Sequence, residues 1–405
     1  METLSTRCCI AGGGPAGMML GFLLARAGVD VVILEKHGDF LRDFRGDTVH
    51  PSTLEIMYEL GLLDEFLKLP HQELHQATAQ IGPFAVTIGD FSHLPTHCKF
   101  IAFMPQWDFL NFLAESGRRY PSFHLLMNRE ATGLIEGNGS VCGLHANTRE
   151  GPLDIRADLV VAADGRRSVI RDKAGLVATD LGAPMDVLWM RLSKRPGDPT
   201  QSLGRVDVSQ FLVMLDRGDY WQCAYLIPKG TFDSLRAQGI PAFREALIRI
   251  APFCRDRADE LQNWEQIGFL SVAVNRLNHW YRPGLLCIGD AAHAMSPIGG
   301  VGINLAIQDA VATANILASA LREGPVPVGL LDRVQRRRMF PTRATQAMQV
   351  FLQNRAVAPA LAGKAAIRSI PFPLNLLQSF PALRRIPARL IGMGFRPEHV
   401  HTPAA

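Results

Sequence analysis

Apolar and polar positions along the first 36 residues predict a strand, a tight turn, a helix and a second strand. CCIAG is an apolar run, PAGMMLGFLLARAG a helix rich in small residues that closes on Gly28, and DVVILEK a second run. Cys8 to Gly28 is apolar enough to resemble a membrane span. Gly12, Gly13, Gly14, Pro15 and Gly17 interrupt it, however, so a strand, turn and helix explain it better. Ser52-Thr53-Leu54-Glu55 has capping-box spacing and predicts a helix start, with Leu54, Met57, Tyr58, Leu60 and Leu62 on its apolar side. Short strands are expected from about 76 to 101, then a helix from Gln106 to Arg119, then strands at FHLLMN and ADLVVAAD. VLWMRLS, SQFLVMLD and YWQCAYLIP, separated by polar or Gly/Pro turns, predict an antiparallel sheet. A helix is expected around 242 to 262, a strand and loop at GLLCIGDAAHAM, and a long helix from Ile303 to Arg322. Beyond it the chain reads as helix broken by Pro371, Pro373, Pro381 and Pro387.

The predicted fold class is α/β. Residues 1–75, 102–182 and 271–330 would form a discontinuous Rossmann-like domain, and 76–101 with 183–270 an inserted, mostly antiparallel β-sheet domain for substrate. Residues 331–405 would form a helical, basic C-terminal region.

Composition narrows the class. With 47% hydrophobic and 20% charged residues, the 405-residue chain can bury a core without disulfides or metals. Its seven cysteines are scattered, with no CxxC pair or Cys/His cluster, which argues against a disulfide framework and a zinc site and for a reducing, cytoplasmic setting. The start lacks the regions of a signal peptide. Arg333 to Arg396 holds twelve Lys or Arg and no acid, so the rest of the chain carries about −8 of the total +4 (+4 − 12).

The first chemical motif is Gly12-x-Gly14-x-x-Gly17, with Glu35 eighteen residues beyond Gly17. Gly12 permits the turn, Gly14 lets a pyrophosphate approach the backbone, and Gly17 lets helix and strand close together. The helix start at Pro15 and Ala16 offers free N–H groups and a positive dipole end. Glu35, with Lys36 beside it, is placed to meet a ribose. This motif alone does not choose between FAD and NAD. Two later segments add to it: LVVAADGRRSVIR, with Asp164, Gly165, Ser168 and Arg171, and CIGDAAHAMSPIGGVGINLAIQDA, with Gly289, Asp290, His293, Pro297, Gly300, Gly302, Asn304 and Asp309.

Together, in this order, the three segments resemble the fingerprints of the class A FAD-dependent aromatic hydroxylases, the para-hydroxybenzoate hydroxylase-like monooxygenases. The likeness spans roughly residues 7 to 330. It implies a Rossmann-like FAD-binding domain and one non-covalent FAD. NADH or NADPH would be a transient reductant visiting a surface groove, since no second GxGxxG exists. O2 would add to the reduced flavin, and a flavin C4a-hydroperoxide would hydroxylate an aromatic or similar electron-rich substrate. The resemblance puts Asp290 on the ribityl chain and Pro297, Gly300, Val301, Gly302, Ile303 and Asn304 around the flavin ring. It puts Arg45 on the pyrophosphate, Gln106 on FAD, and Asp164, Gly165 and Arg171 at a motif linked to both FAD and the nicotinamide cofactor.

A base or hydrogen-bond relay for the substrate is expected, with His50 and Tyr225 as candidates. Solvent exposure for His50 and plain sheet packing for Tyr225 stay open. Related readings are a flavin-dependent halogenase, a prenyl-chain reductase, and a non-enzymatic protein using FAD as a prop. Against halogenation, the WxWxIP stretch has become Trp221-Gln222-Cys223-Ala224-Tyr225-Leu226-Ile227-Pro228, and no lysine lies between Lys68 and Lys99. No nucleic-acid-reading module is present. The basic tail, with Leu361, Ile367, Phe372, Leu374, Leu376, Leu377, Phe380 and Leu383, fits contact with an anionic membrane. It fits equally a solvated face, or a docking surface for the acidic remainder of this chain or of a second copy in a homodimer.

Overall fold

The structure is a computed structural model and describes residues 2–41, 48–199, 203–363 and 369–405. The chain opens with β1 (Glu2–Ala11), α1 (Pro15–Arg26), β2 (Val31–Glu35) and α2 (Pro51–Glu59). Then come β3 (Gln76–Ile81), β4 (Phe84–Asp90), α3 (Gln106–Gly117) and β5 (Phe123–Met127), and a meander of β6 (Glu130–Gly137), β7 (Ser140–Thr148) and β8 (Gly151–Ala162). The middle supplies β9 (Met185–Ser193), β10 (Leu203–Asp207), β11 (Gln210–Asp216), β12 (Tyr220–Pro228), α4 (Ile240–Ile250) and β13 (Gly268–Leu270). β14 (Leu285–Cys287), α5 (Gly302–Glu323), α6 (Val328–Leu352), α7 (Phe372–Ser379) and α8 (Arg385–Gly392) complete the chain.

Two large sheets organise it. In the first, β14, β8, β1, β2 and β5 lie side by side and parallel. β7 and β6 pair antiparallel onto β8, a meander that the hydrophobic pattern did not announce. Residues 8–11, 31–34 and 159–162 are continuous buried apolar runs, as in parallel strands covered on both faces. Gly17 sits where this packing is tightest: a Cβ there would fall 2.0 Å from the Gly12 carbonyl oxygen. The second sheet runs β13-β9-β12-β11-β10-β3-β4, antiparallel except where β10 meets β3. One face, with Leu188, Met190, Leu212 and Met214, packs on α4. The other, with Val187, Ala224 and Leu226, packs on Ile298, Val357 and Leu361.

Two local expectations are corrected. α2 is capped by His50 with Pro51 at its first position. No capping box forms, because the Ser52 and Thr53 hydroxyls bond to Gln308 and Asn304 of α5. The helix expected at 242–262 ends at Ile250, since Pro252 removes an N–H and holds Ala251 out of helical geometry (φ −130°, ψ 74°). A 3-10 segment, Pro252–Glu260, follows. Apolar residues of the C-terminal region dock on the rest of the chain, one of the readings open for it: Leu331 and Val334 enter the main core, and Val357 and Leu361 lie under the second sheet. α7 shields the edge strand β4, where the Gln378 side-chain amide donates to the Thr87 carbonyl (3.0 Å) and accepts from the Thr87 N–H (3.4 Å).

Candidate flavin site

The carboxyl ends of β1, β2, β8 and β14 form one edge, the place where ligands bind in open parallel sheets. Backbone bonds knit that edge: Gly12 N to Leu34 O (2.8 Å), Ala163 N to Ala11 O (2.8 Å), and Ile288 N to Ala162 O (3.0 Å). All three sequence motifs emerge here. Gly12, at φ +107°, lies so near the second motif that a Cβ would sit 2.4 Å from the Ala163 carbonyl oxygen. A Cβ on Gly289, which opens the third motif, would meet Ala16 of α1 and Ala306 of α5 at 3.1 and 3.2 Å.

At Gly14 the opposite holds: an added Cβ would meet nothing within 4 Å. Gly14 caps α1, Pro15 follows, and no acidic side chain occupies the first turn. That leaves open space before uncapped amides at the positive end of a helix, which fits a diphosphate. Glu35 braces the turn, its two carboxylate oxygens accepting from Gly13 N (3.1 Å) and His37 N (3.0 Å). Lys36 beside it is exposed.

In the second motif Asp164 accepts from Ser168 Oγ and from Ile170 N (3.2 Å), and burial pushes its carboxyl up despite these donors. Gly165 turns the chain at φ +88°. Arg171 ties the motifs together. Its guanidinium donates to Asp172 (3.1 Å) and, more weakly, to the carbonyls of Arg166 (3.3 Å) and Ala291 (3.4 Å). Asp290 stays partly open, with Arg166 at 3.7 Å as its ion-pair partner.

The third motif ends at α5, whose first turn carries no acid. Asn304 is a clasp. Its oxygen accepts from His50 N and Thr53 Oγ1 (both 2.8 Å), and its nitrogen donates to the carbonyls of Thr48 (3.0 Å) and Gly300 (3.3 Å). His50 is fully buried, with Nδ1 2.8 Å from the Ile391 carbonyl of α8. A carbonyl only accepts, so Nδ1 carries the proton and Nε2 is a bare acceptor, without a partner among the described residues. Burial lowers the His50 pKa to about 4, against the bond to Ile391, and keeps the ring neutral at pH 7. The solvent-exposed reading of His50 is thereby excluded.

Tyr225 goes to the other side of its sheet. With Trp221 and Cys223 it faces α4, stacked edge-on against Phe243 (5.3 Å) and bonded to Gln210 (3.3 Å). This is core packing. The face toward Ile298 instead carries Trp189, Phe211 and Val213 beside Ala224 and Leu226. Gln106 starts α3 as expected, while Arg45 lies outside the described residues.

What sequence reasoning missed is the scaffold behind the third motif. Asp309 of α5 is fully buried and accepts from His293 Nε2 (2.6 Å), Gly289 N (3.1 Å) and Arg338 Nε (2.8 Å). Burial alone would raise its pKa; His293 and Arg338 outweigh it and hold the carboxyl below its ordinary value. Further along α6, Gln346 donates to the Asn275 and Ala294 carbonyls. Gln349 bonds to Ser296 N and O and to Ile298 O, and Gln353 reaches Ser296 Oγ. Arg338, Thr342, Gln346, Gln349 and Gln353 recur every three or four residues, a polar stripe that could have been read as a buried helix face.

Replacing Asp309 with Ala leaves buried Arg338 with Glu398 as its one carboxylate and takes the acceptor from His293 Nε2 and Gly289 N. A loss of about 3–5 kcal/mol of stability is expected, with reduced flavin retention. Because the Asp309 carboxyl sits below its ordinary pKa, its contribution is complete above pH ~4 and fades as acid protonates it. Urea unfolding at pH 7 checks this; a variant as stable as the parent contradicts it.

A model of the FAD binding domain family matches residues 5–348. The chain is 32% identical over 387 residues to 6-methylpretetramide 4-monooxygenase of Streptomyces rimosus, covering 95% of this chain and 92% of that one. It is 26% identical to dialkyldecalin synthase of Streptomyces rugosporus, over 81% of this chain and 68% of that one. Among solved structures, PqsL, a probable FAD-dependent monooxygenase from Pseudomonas aeruginosa, shares the fold. It has a TM-score of 0.75 at 19% identity, over 89% of this chain and 98% of that one. The chain belongs to the FAD binding domain family, in its aromatic hydroxylase-like branch, and is an FAD-dependent monooxygenase.

Proposed function

We propose that this monooxygenase hydroxylates an electron-rich aromatic compound of the pretetramide or anhydrotetracycline kind, with NAD(P)H as reductant and O2 as oxidant. The observation that carries this reading is the apolar sheet face with Trp189, Phe211, Val213, Ala224 and Leu226, which packs, with Val357 and Leu361, against Ile298 of the third-motif loop. One relative supports the substrate class, the 6-methylpretetramide 4-monooxygenase at 32% identity, and OxyS anhydrotetracycline hydroxylase from Streptomyces rimosus supports the fold. The latter shares the fold with a TM-score of 0.74 at 22% identity, over 98% of this chain and 77% of that one.

Gly12, Gly14 and the amides of α1 would hold the diphosphate, Glu35 a ribose and Asp290 the ribityl chain. Residues Pro297 to Asn304 would surround the ring. Bound FAD supplies the redox chemistry that couples NAD(P)H oxidation to insertion of one oxygen atom. The chain supplies the setting. The positive end of α5 favours negative charge at the ring, and the apolar sheet face excludes water. Neutral His50, through Nε2, would accept a hydrogen bond from a substrate hydroxyl and orient it.

Purified protein supplied with FAD, NAD(P)H and multi-ring phenols should consume O2 in step with NAD(P)H, and the product should gain one oxygen by mass. NAD(P)H oxidation without oxygenated product from any of them contradicts the proposal. Asp290→Ala should be isolated largely without flavin; full, yellow loading would refute its role.

His50 also predicts a pH signature. Between pH 6.5 and about 4 the unfolded chain binds a proton at His50 that the folded chain refuses, so stability falls as pH drops through that window. His50→Gln should flatten that part of the pH–stability curve; an unchanged curve rules out the buried neutral ring.

α7 is also proposed to touch an anionic lipid surface. Phe372 and Leu376 of α7 and Phe380 just past its end are 77%, 39% and 58% exposed, close in sequence to the exposed Arg385 and Arg389. Phe372→Ser with Phe380→Ser should cut co-sedimentation with phosphatidylglycerol vesicles several-fold; equal sedimentation discards the contact.

A further inference from the structure

On another part of the surface, α5, α6 and the C-terminal segment enclose an open cavity of about 670 Å³. Four arginines line it, Arg333, Arg336, Arg337 and Arg396, against one lining carboxylate, Glu398. The lining therefore carries a formal +3 (4 − 1), before any contribution from His401, which also lines it. The single acid is already committed: Glu398 is buried and bonded both to Arg337 (2.8 Å) and to buried Arg338 (3.1 Å). Arg336 has Asp332 one turn back on the helix (2.8 Å). Arg333 and Arg396 are exposed and have no acidic partner among the described residues.

Like charges gathered around a concave surface repel one another and raise the local concentration of anions, and an anion that joins them relieves the repulsion. Guanidinium groups pair with phosphate oxygens through parallel N–H donors, a geometry that water does not replace in kind. The volume lies in the range of small-ligand sites, and Ile316 with Ala312 gives the cavity an apolar patch for the organic part of a ligand. We propose that this cavity binds a small phosphorylated molecule, with Arg333 and Arg396 as the principal phosphate ligands. The proposal does not depend on which aromatic compound the enzyme oxidises. It also places the ligand next to the flavin scaffold, since Glu398 grips Arg338, which grips Asp309, which accepts from Gly289 N.

The test uses FAD-loaded enzyme, so that the diphosphate cradle at Gly14 is filled. Isothermal titration with inorganic pyrophosphate and with ADP, at low ionic strength, should show saturable one-to-one binding. Arg333→Ala with Arg396→Ala should weaken it at least tenfold while flavin absorbance and unfolding temperature stay as in the parent. Absence of binding, or equal binding by parent and double variant, overturns the proposal. Capture by phosphatidate vesicles with no pyrophosphate or ADP binding overturns it too, since it would assign the arginines to a lipid surface.

Discussion

One buried carboxylate holds the flavin-facing half of this protein in register. Asp309 collects donors from the turn after β14, from His293 within the third motif and from Arg338 of α6, and Arg338 passes the connection to Glu398 near the C-terminus. An ionised carboxylate away from water is tolerated only when its lone pairs are met by donors and its charge by cations. The partners come from two other stretches of chain, the loop between β14 and α5 and helix α6, so satisfying one buried charge fixes the placement of both relative to α5. The amide stripe of Gln346, Gln349 and Gln353 extends the same logic along a loop with few backbone bonds of its own.

Much of this was legible in the sequence because glycine and aspartate obey local rules. The first motif announced a turn whose geometry depends on a positive φ at Gly12 and on the closeness of Gly17 to the strand, both properties of a missing Cβ. The alternation in YWQCAYLIP correctly put Trp221, Cys223 and Tyr225 on one face. It could not say which face, because either side of a sheet buried on both sides satisfies the same pattern. Tyr225 consequently entered as a candidate and left as core.

The C-terminal region was the least legible. Its lack of acids left a solvated face, a membrane contact and docking on the acidic remainder of the chain all open. Arg337 and Arg338 follow the last of these, with their carboxylates at Glu398 and Asp309, beyond and before the acid-free stretch. Ser52 and Thr53 misled for a related reason. Their hydroxyls match a local capping pattern but are claimed by α5, about 250 residues away, and a local rule cannot anticipate that competition. Pairings of this separation carry no periodic signature, whereas the turns that would meet FAD do.

The convergence of the three motif turns on one edge of the parallel sheet is tested most directly by titrating flavin-free protein with FAD while following flavin absorbance and fluorescence. One FAD per chain, bound tightly enough to survive gel filtration, is the predicted result. Protein that stays colourless, with free-flavin fluorescence unchanged at every ratio, would contradict it.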